Sequence, residues 1–172
     1  RRRRRPAIRR TGMDDAVHCC TEDILLAVTN ITFDISIVEL FWALTRGVKV
    51  VLAPDPLGGH ARLRENSEAK EATYGGKLPG ELADLYRPTI MQCTPSTMNI
   101  LLAGNEGFAS FSSLGTLMLG AERLPASLAR VIKESLPCKL LNMYGPTETT
   151  IWSSTSEISE AVSVISIGKP IV

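Results

Sequence analysis

No uninterrupted apolar run in this sequence approaches the roughly 18 to 20 residues that a membrane-spanning helix needs, so no such helix is expected. Cysteine is sparse: Cys19, Cys20, Cys93 and Cys138 form no C-x-x-C pair, and His18 and His60 are not spaced to complete a zinc site. A secretory leader is missing as well, because the charged start runs through Pro6, Ala7 and Ile8 into more arginine with no apolar core. The thiols are therefore read as reduced and the protein as cytoplasmic. Nothing beside His18 and Cys19 completes a nucleophile arrangement. There is no internal repeat, and no low-complexity stretch apart from one run of arginines.

That run makes the charge balance deceptive. Arg1 to Arg5, Arg9 and Arg10 are seven of the 19 basic residues, and without them 12 basic face 18 acidic residues. The body is thus acidic and has no overall basic character that would favour nucleic acid. A basic arm acting on nucleic acid by itself is an alternative reading, and a solvated tail is the plainer one. Residues 1 to 20 show no hydrophobic periodicity and are read as a basic, disordered tail.

What is present is enough for one packed domain over residues 21 to 172, since 44% of the chain is hydrophobic. Ile24 to Val28 predicts a buried strand. Asp34 and Ser36 offer capping side chains, followed by Ile37, Leu40, Phe41 and Leu44 at helical spacing and Gly47 as terminator. Val48 to Ala53 predicts a second strand, and Pro54 to Gly59 a loop. Residues 60 to 86 read as two polar helical pieces broken at Gly75-Gly76 and Pro79-Gly80. Thr89 to Cys93 predicts a third strand, Thr94-Pro95 the start of a helix through Leu102, and Gly104 to Ser113 a loop. Leu114 to Leu119 predicts a fourth strand, a helix runs from Leu124-Pro125 through Ser135, and Lys139 to Met143 predicts a fifth strand. Extended chain follows from Ile151, including Val162 to Ile167. Strand and helix alternating at this spacing predict an α/β fold with a mainly parallel sheet flanked by helices.

In such sheets ligands lie beyond the carboxyl ends of the strands. That rule selects the turn before Asp34, Gln92 to Thr94, Leu119 to Glu122, and Asn142 to Glu148. The last segment is the richest chemically. Gly145 and Pro146 fix a tight backbone path. Tyr144 has a flat face for a base, Thr147 a hydroxyl for a phosphate oxygen, and Glu148 a carboxylate for a magnesium ion beside it. On chemistry alone, a nucleotide turn and an ordinary polar turn with a buried tyrosine stand equal.

Four segments, in order, resemble motifs of the adenylation domains of nonribosomal peptide synthetases, within the acyl-adenylate-forming, AMP-dependent synthetase/ligase superfamily. Asn142-Met143-Tyr144-Gly145-Pro146-Thr147-Glu148 resembles N-x-Y-G-P-T-E. Phe33-Asp34-Ile35-Ser36 with Glu39-Leu40-Phe41 resembles F-D-x-S-x-x-E-L-F. Gln92 to Ser96 resembles Q-x-T-P-S, and Gly120 to Leu124 resembles G-G-E-x-L with Ala121 replacing the second glycine. Ile167-Gly168-Lys169-Pro170-Ile171 further resembles I-G-x-P-I.

The resemblance implies part of the large N-terminal subdomain of an adenylate-forming enzyme, which turns an amino acid and ATP into aminoacyl-AMP and pyrophosphate. It implies Glu148 as the Mg2+ ligand and Thr147 as the α-phosphate contact, Tyr144 stacked on adenine with Asn142 at its edge, and Gly145 in the turn. It implies that the backbone at Gly120 and Ala121 approaches the nucleotide. Asp34 is implied as the partner of the substrate's ammonium, against the alternative of a helix cap. The implied pocket comprises Ile35, Val38, Gln92, Met118, Gly120, Met143, Ile151 and Trp152, apolar but for Gln92, which favours an apolar substrate side chain. Met118 and Ile151 serve equally well as core. A carrier domain bearing phosphopantetheine is the implied partner. The family's T-S-G-T-T-G-x-P-K phosphate loop and catalytic lysine are not among these residues, so the chain is read as an internal fragment, inactive alone. A non-catalytic remnant is the alternative.

Overall fold

The computed structural model describes residues 11–53, 78–103, 107–149, 151–159 and 164–171. Strands β1 (Ile24–Ala27), β2 (Lys49–Leu52), β3 (Ile90–Cys93), β4 (Thr116–Gly120) and β5 (Lys139–Tyr144) are mutually parallel, while β6 (Ser154–Ile158) and β7 (Lys169–Pro170) add antiparallel. Their order in the one sheet is β2-β1-β3-β4-β5-β6-β7. The chain leaves β1 for β2 on one side and returns past β1 to β3 on the other. The direction of winding therefore reverses between β1 and β3, where an open α/β sheet forms a crevice beyond its strand ends.

The central strands are continuous apolar runs because both faces are covered: every residue of β3 and β4 is buried. Leu26, Met91, Leu117, Leu119 and Leu140 face a layer that includes Ala83, Met98, Leu128 and Ile132. These come from α3 (Pro79–Tyr86), α4 (Pro95–Ala103) and α5 (Ala126–Ser135). Leu25, Ile90, Met118, Leu141 and Met143 face the other way, against Ile35, Val38, Ala43, Trp152 and Val17. Alternate residues thus serve opposite layers, as the strand's period of two requires. Helix α5 ends where Lys133 Nζ donates to the Cys138 carbonyl at 3.1 Å, bracing the turn at Pro137.

Several sequence expectations are corrected here. Residues 11–20 are not tail: α1 (Gly12–Val17) is helical, with Thr11 N–H donating to Asp14 Oδ2 at 2.6 Å. Asp14 Oδ1 also accepts Trp42 Nε1–H at 3.0 Å and Arg46 Nε–H at 2.6 Å, which anchors the helix to the domain. Six residues are too few to display a period. Pro79-Gly80 opens α3 rather than breaking a helix, because proline suits the first helical position and Glu81 accepts the Leu78 N–H at 2.6 Å. A 3-10 turn at Ala109–Phe111 lies within the expected loop.

The helix after Asp34 is α-helical at Ser36 and Ile37, passes into a π-helical turn, Val38–Trp42, and continues as α2 (Ala43–Thr45). Ile37, Phe41 and Leu44, expected on its buried face, are 47%, 67% and 61% exposed, whereas Val38, Glu39 and Ala43 point inward. Residues 1–10, the loop at Pro54 to Gly59 and the first of the two polar pieces lie outside the described residues. Among the described residues no helix is long and apolar enough to cross a membrane.

Candidate active site

Beyond the carboxyl ends of β1 and β3 the chain builds a closed, polar-threaded wall. Ile35, Val38, Met118 and Met143 are each at most 6% exposed and pack in one cluster with Trp152. Gln92, fully buried on β3, donates from Nε2 to the Ile35 carbonyl and accepts the Trp152 indole N–H at Oε1, both at 2.9 Å. A buried amide satisfied on both sides fixes its neighbours, because either broken bond strands a polar group without water. The indole it holds lies across Gly120. A Cβ there would come within 2.4 Å of Trp152 Cη2 and 2.7 Å of the Met143 carbonyl oxygen. The packing of Trp152 alone therefore requires glycine at position 120.

Trp152 reaches that place through a compact turn. Ser153 N–H donates to the Tyr144 carbonyl at 2.8 Å, closing the chain between β5 and β6. Within the turn, a Cβ on Gly145 would lie 2.2 Å from the Ile151 carbonyl oxygen. Ile151 itself holds a φ of 74°, a left-handed conformation that a β-branched residue adopts only under constraint.

Asp34 is half-buried at the mouth of this wall. Its Oδ2 accepts the Thr147 hydroxyl at 2.6 Å, so two motifs far apart in sequence meet there. Neither Asp34 nor Ser36 makes a capping bond to the following helix: Asp34 Oδ2 is engaged by Thr147, and the Ser36 hydroxyl donates to the Ile31 carbonyl at 3.3 Å. Glu148 sits exposed in the 3-10 turn Thr147–Thr149. Among the described residues no group of three or more His, Cys, Asp or Glu could hold a metal unaided.

Beyond β4 and β5 the surface opens. A cavity of ≈ 770 Å³ is lined by Ala121 to Ala126, by Asn142 to Pro146, and by Val164, Ile165 and Ile167. Tyr144 is 48% exposed on its wall. Asn142 is buried, with Nδ2 donating to the Ser166 carbonyl at 2.7 Å. Of the residues expected around a nucleotide, Ala121, Asn142, Tyr144 and Gly145 line this cavity, and Gly120 and Thr147 do not. Ala121 has a φ of 64°, the conformation for which glycine is suited. Glu122 accepts the Ser96 N–H at 3.1 Å and its hydroxyl at 2.6 Å, tying the loop after β4 to the start of α4.

Two features escaped sequence reasoning. Val164, Ile165 and Ile167 close the cavity from the segment before β7. Glu39 is buried at 1% exposure, and burial pushes its carboxyl up to about 7 against the hydrogen bonds it accepts from Thr29. Its signal was visible as the one charged residue between Ile35 and Thr45.

Residues 7–172 match the family described as AMP-binding enzyme. The chain is 34% identical over 161 residues to a dimodular nonribosomal peptide synthase of Bacillus subtilis (strain 168), covering 93% of this chain and 6% of that protein. A four-domain nonribosomal peptide synthetase solved bound to AMP and glycine is 32% identical, with a TM-score of 0.66 over 93% of this chain and 11% of that one. An artificially fused adenylation–PCP di-domain from Klebsiella oxytoca shares the fold, with a TM-score of 0.70 at 17% identity over 91% of this chain and 29% of that one. The chain thus spans a small part of the length of each.

Proposed function

The chain belongs to the AMP-binding enzyme family, and from that premise we propose that it supplies the amino-acid pocket and part of the nucleotide site of an adenylation domain serving nonribosomal peptide synthesis. In that reaction a carboxylate oxygen of the amino acid bonds to the α-phosphorus of ATP. The bond to the β-phosphate oxygen breaks and pyrophosphate leaves. Catalysis of this kind rests on positioning and on neutralising phosphate charge.

The observation that carries the reading is the 2.6 Å hydrogen bond from Thr147 Oγ1 to Asp34 Oδ2. It sets a carboxylate suited to an ammonium group beside a hydroxyl suited to a phosphate oxygen, as the joining of an amino acid to a nucleotide demands. Asp34 takes the substrate's α-ammonium. Thr147 turns from Asp34 to the α-phosphate. The open cavity between Ala121 and Tyr144 takes the adenosine, with the exposed Tyr144 ring against the base and Asn142 at its edge. Glu148 fits a Mg2+ ion that arrives with the triphosphate, since magnesium commonly keeps its waters and takes one or two carboxylates besides phosphate oxygens. Bound there, the ion neutralises phosphate charge.

The side chains of the buried wall, Ile35, Val38, Met118, Met143 and Trp152, are apolar, and the Gln92 amide among them is already engaged on both sides. An apolar substrate side chain is therefore favoured. A carrier domain with a phosphopantetheine arm then receives the aminoacyl group, a reading supported by the adenylation–PCP fusion among the similar folds.

The test is amino-acid-dependent ATP–pyrophosphate exchange, screened over amino acids with the adenylating protein that carries these residues. Glu148→Ala abolishes exchange and Asp34→Ala raises the amino-acid KM selectively. Exchange indifferent to both substitutions would reject the assignment.

A further inference from the structure

Glu39 has no part in the reaction just described, yet it places a carboxyl inside the apolar layer behind Asp34. Oε2 accepts the Thr29 N–H at 3.1 Å and Oε1 accepts the Thr29 hydroxyl at 2.6 Å. The Gln92 amide lies against it and favours its charged form. An apolar side chain of similar length would fill the volume without the cost of burying a carboxyl, so filling space does not explain the group.

Its partners do. Thr29 opens the segment that leads to Asp34, and Ile35 closes it. Gln92 holds the far foot through the Ile35 carbonyl, while Glu39 holds the near foot through Thr29. Between them, Asn30 Oδ1 accepts the Thr32 N–H at 3.0 Å and the Thr32 hydroxyl at 2.8 Å. The segment is an arch braced inside and pinned at both ends.

We propose that Glu39 is a positioning residue: by pinning Thr29 and backing Gln92, it sets where the Asp34 carboxylate stands and how it meets Thr147. The importance of this for amine recognition rests on the function proposed above; the positioning itself does not.

The experiment is 15N NMR of the 172-residue chain as wild type, Glu39→Gln, Glu39→Leu and, for reference, Asp34→Ala. The two indoles report separately, because Trp42 donates to Asp14 on α1 and Trp152 to Gln92. Among the described residues, the Cys93 thiol of β3 also faces Glu39, and burial pushes it far above the neutral range.

Between about pH 5.5 and 8.5, the Trp152 indole and Thr147 amide are expected to move together through one midpoint while the Trp42 indole stays still. Glu39→Gln keeps the fold and removes that titration. Glu39→Leu shifts the Thr147 amide in the direction that Asp34→Ala does. A titration that is absent in the wild type or survives in Glu39→Gln overturns the proposal. So does a folded Glu39→Leu chain with Asp34 and Thr147 amides at their wild-type positions. Should Glu39→Leu fail to fold, the Glu39→Gln titration decides alone. An intact titration with exchange indifferent to Asp34 and Glu148 would sink the functional reading only. The reverse result would sink only the positioning role.

Discussion

The two halves of the sheet's carboxyl edge follow opposite plans. At β1 and β3 the polar groups are answered from within the chain: Gln92 by Ile35 and Trp152, Glu39 by Thr29. At β4 and β5 the exposed Ala121, Tyr144 and Pro146 border an open cavity. Specific shape needs a rigid wall, and rigidity comes from satisfied buried bonds. A site for a large, charged, departing ligand needs access instead. On the proposed reading, selection of the amino acid is preformed and the nucleotide completes its own half.

Truncating one aromatic ring on each side sharpens this contrast most. Trp152→Ala removes a 6% exposed indole, leaves a cavity over Gly120 and strands Gln92 Oε1. A loss of about 3 to 5 kcal/mol is expected. Tyr144→Ala removes a ring that is 48% exposed, and about 1 kcal/mol or less is expected, because little packing is lost. Guanidinium unfolding midpoints read both. Equal losses at the two positions would erase the distinction between a closed and an open half.

Next in size is a pH dependence that belongs to the closed half alone. Burial raises the Glu39 carboxyl from 4.5 to about 7, opposed by its bonds to Thr29. Between those values the folded chain keeps a proton that the unfolded chain has released. Raising pH through that window therefore draws the equilibrium toward unfolding, and above about 7 the loss is complete. The window amounts to about 3 kcal/mol. Stability measured at intervals across it falls in the wild type by that much more than in Glu39→Gln, which carries no titrating group. Parallel curves for the two proteins would mean that Glu39 stays ionised when folded and that the closed half is wetter than its geometry implies.

The sequence made the open half easier to read than the closed one. Strands β1 and β3 to β5 announced themselves as apolar runs because they are covered on both faces, and their ends located the crevice by topology. The turn from Asn142 to Glu148 stood out because its residue types are chemically unusual together. The closed half depends on pairings that no local pattern carries. Gly120 leaves room for Trp152 lying across it, a contact that no local pattern announces. The helix after Asp34 was legible, but its inward face was not: the π-turn brings Glu39 inward and leaves Phe41 and Leu44 outside. Helix α1 was invisible because its hold on the domain comes from Asp14 reaching Trp42 and Arg46, a tertiary contact with no sequence period.

The smallest expected effect compares one residue from the open wall with one behind it. Ala121 and Ile151 both hold left-handed backbone, at φ 64° and 74°. Such a conformation costs an alanine about 1 to 2 kcal/mol, and glycine avoids it. Glycine also gives the unfolded chain more freedom, which takes back about 0.4 to 1 kcal/mol. At Ala121 the side chain is an exposed methyl on the cavity wall, so nothing else is lost. Ala121→Gly is therefore expected to stabilise by about 0.5 to 1 kcal/mol. Ile151→Gly relieves more strain but removes a side chain packed against the cluster around Trp152, and a net loss is expected. Opposite signs in the two unfolding midpoints would show that strain in the open wall stands alone, while strain behind it is repaid by packing. A destabilised Ala121→Gly would mean that the methyl has a packing partner and that the cavity wall is less open than it looks.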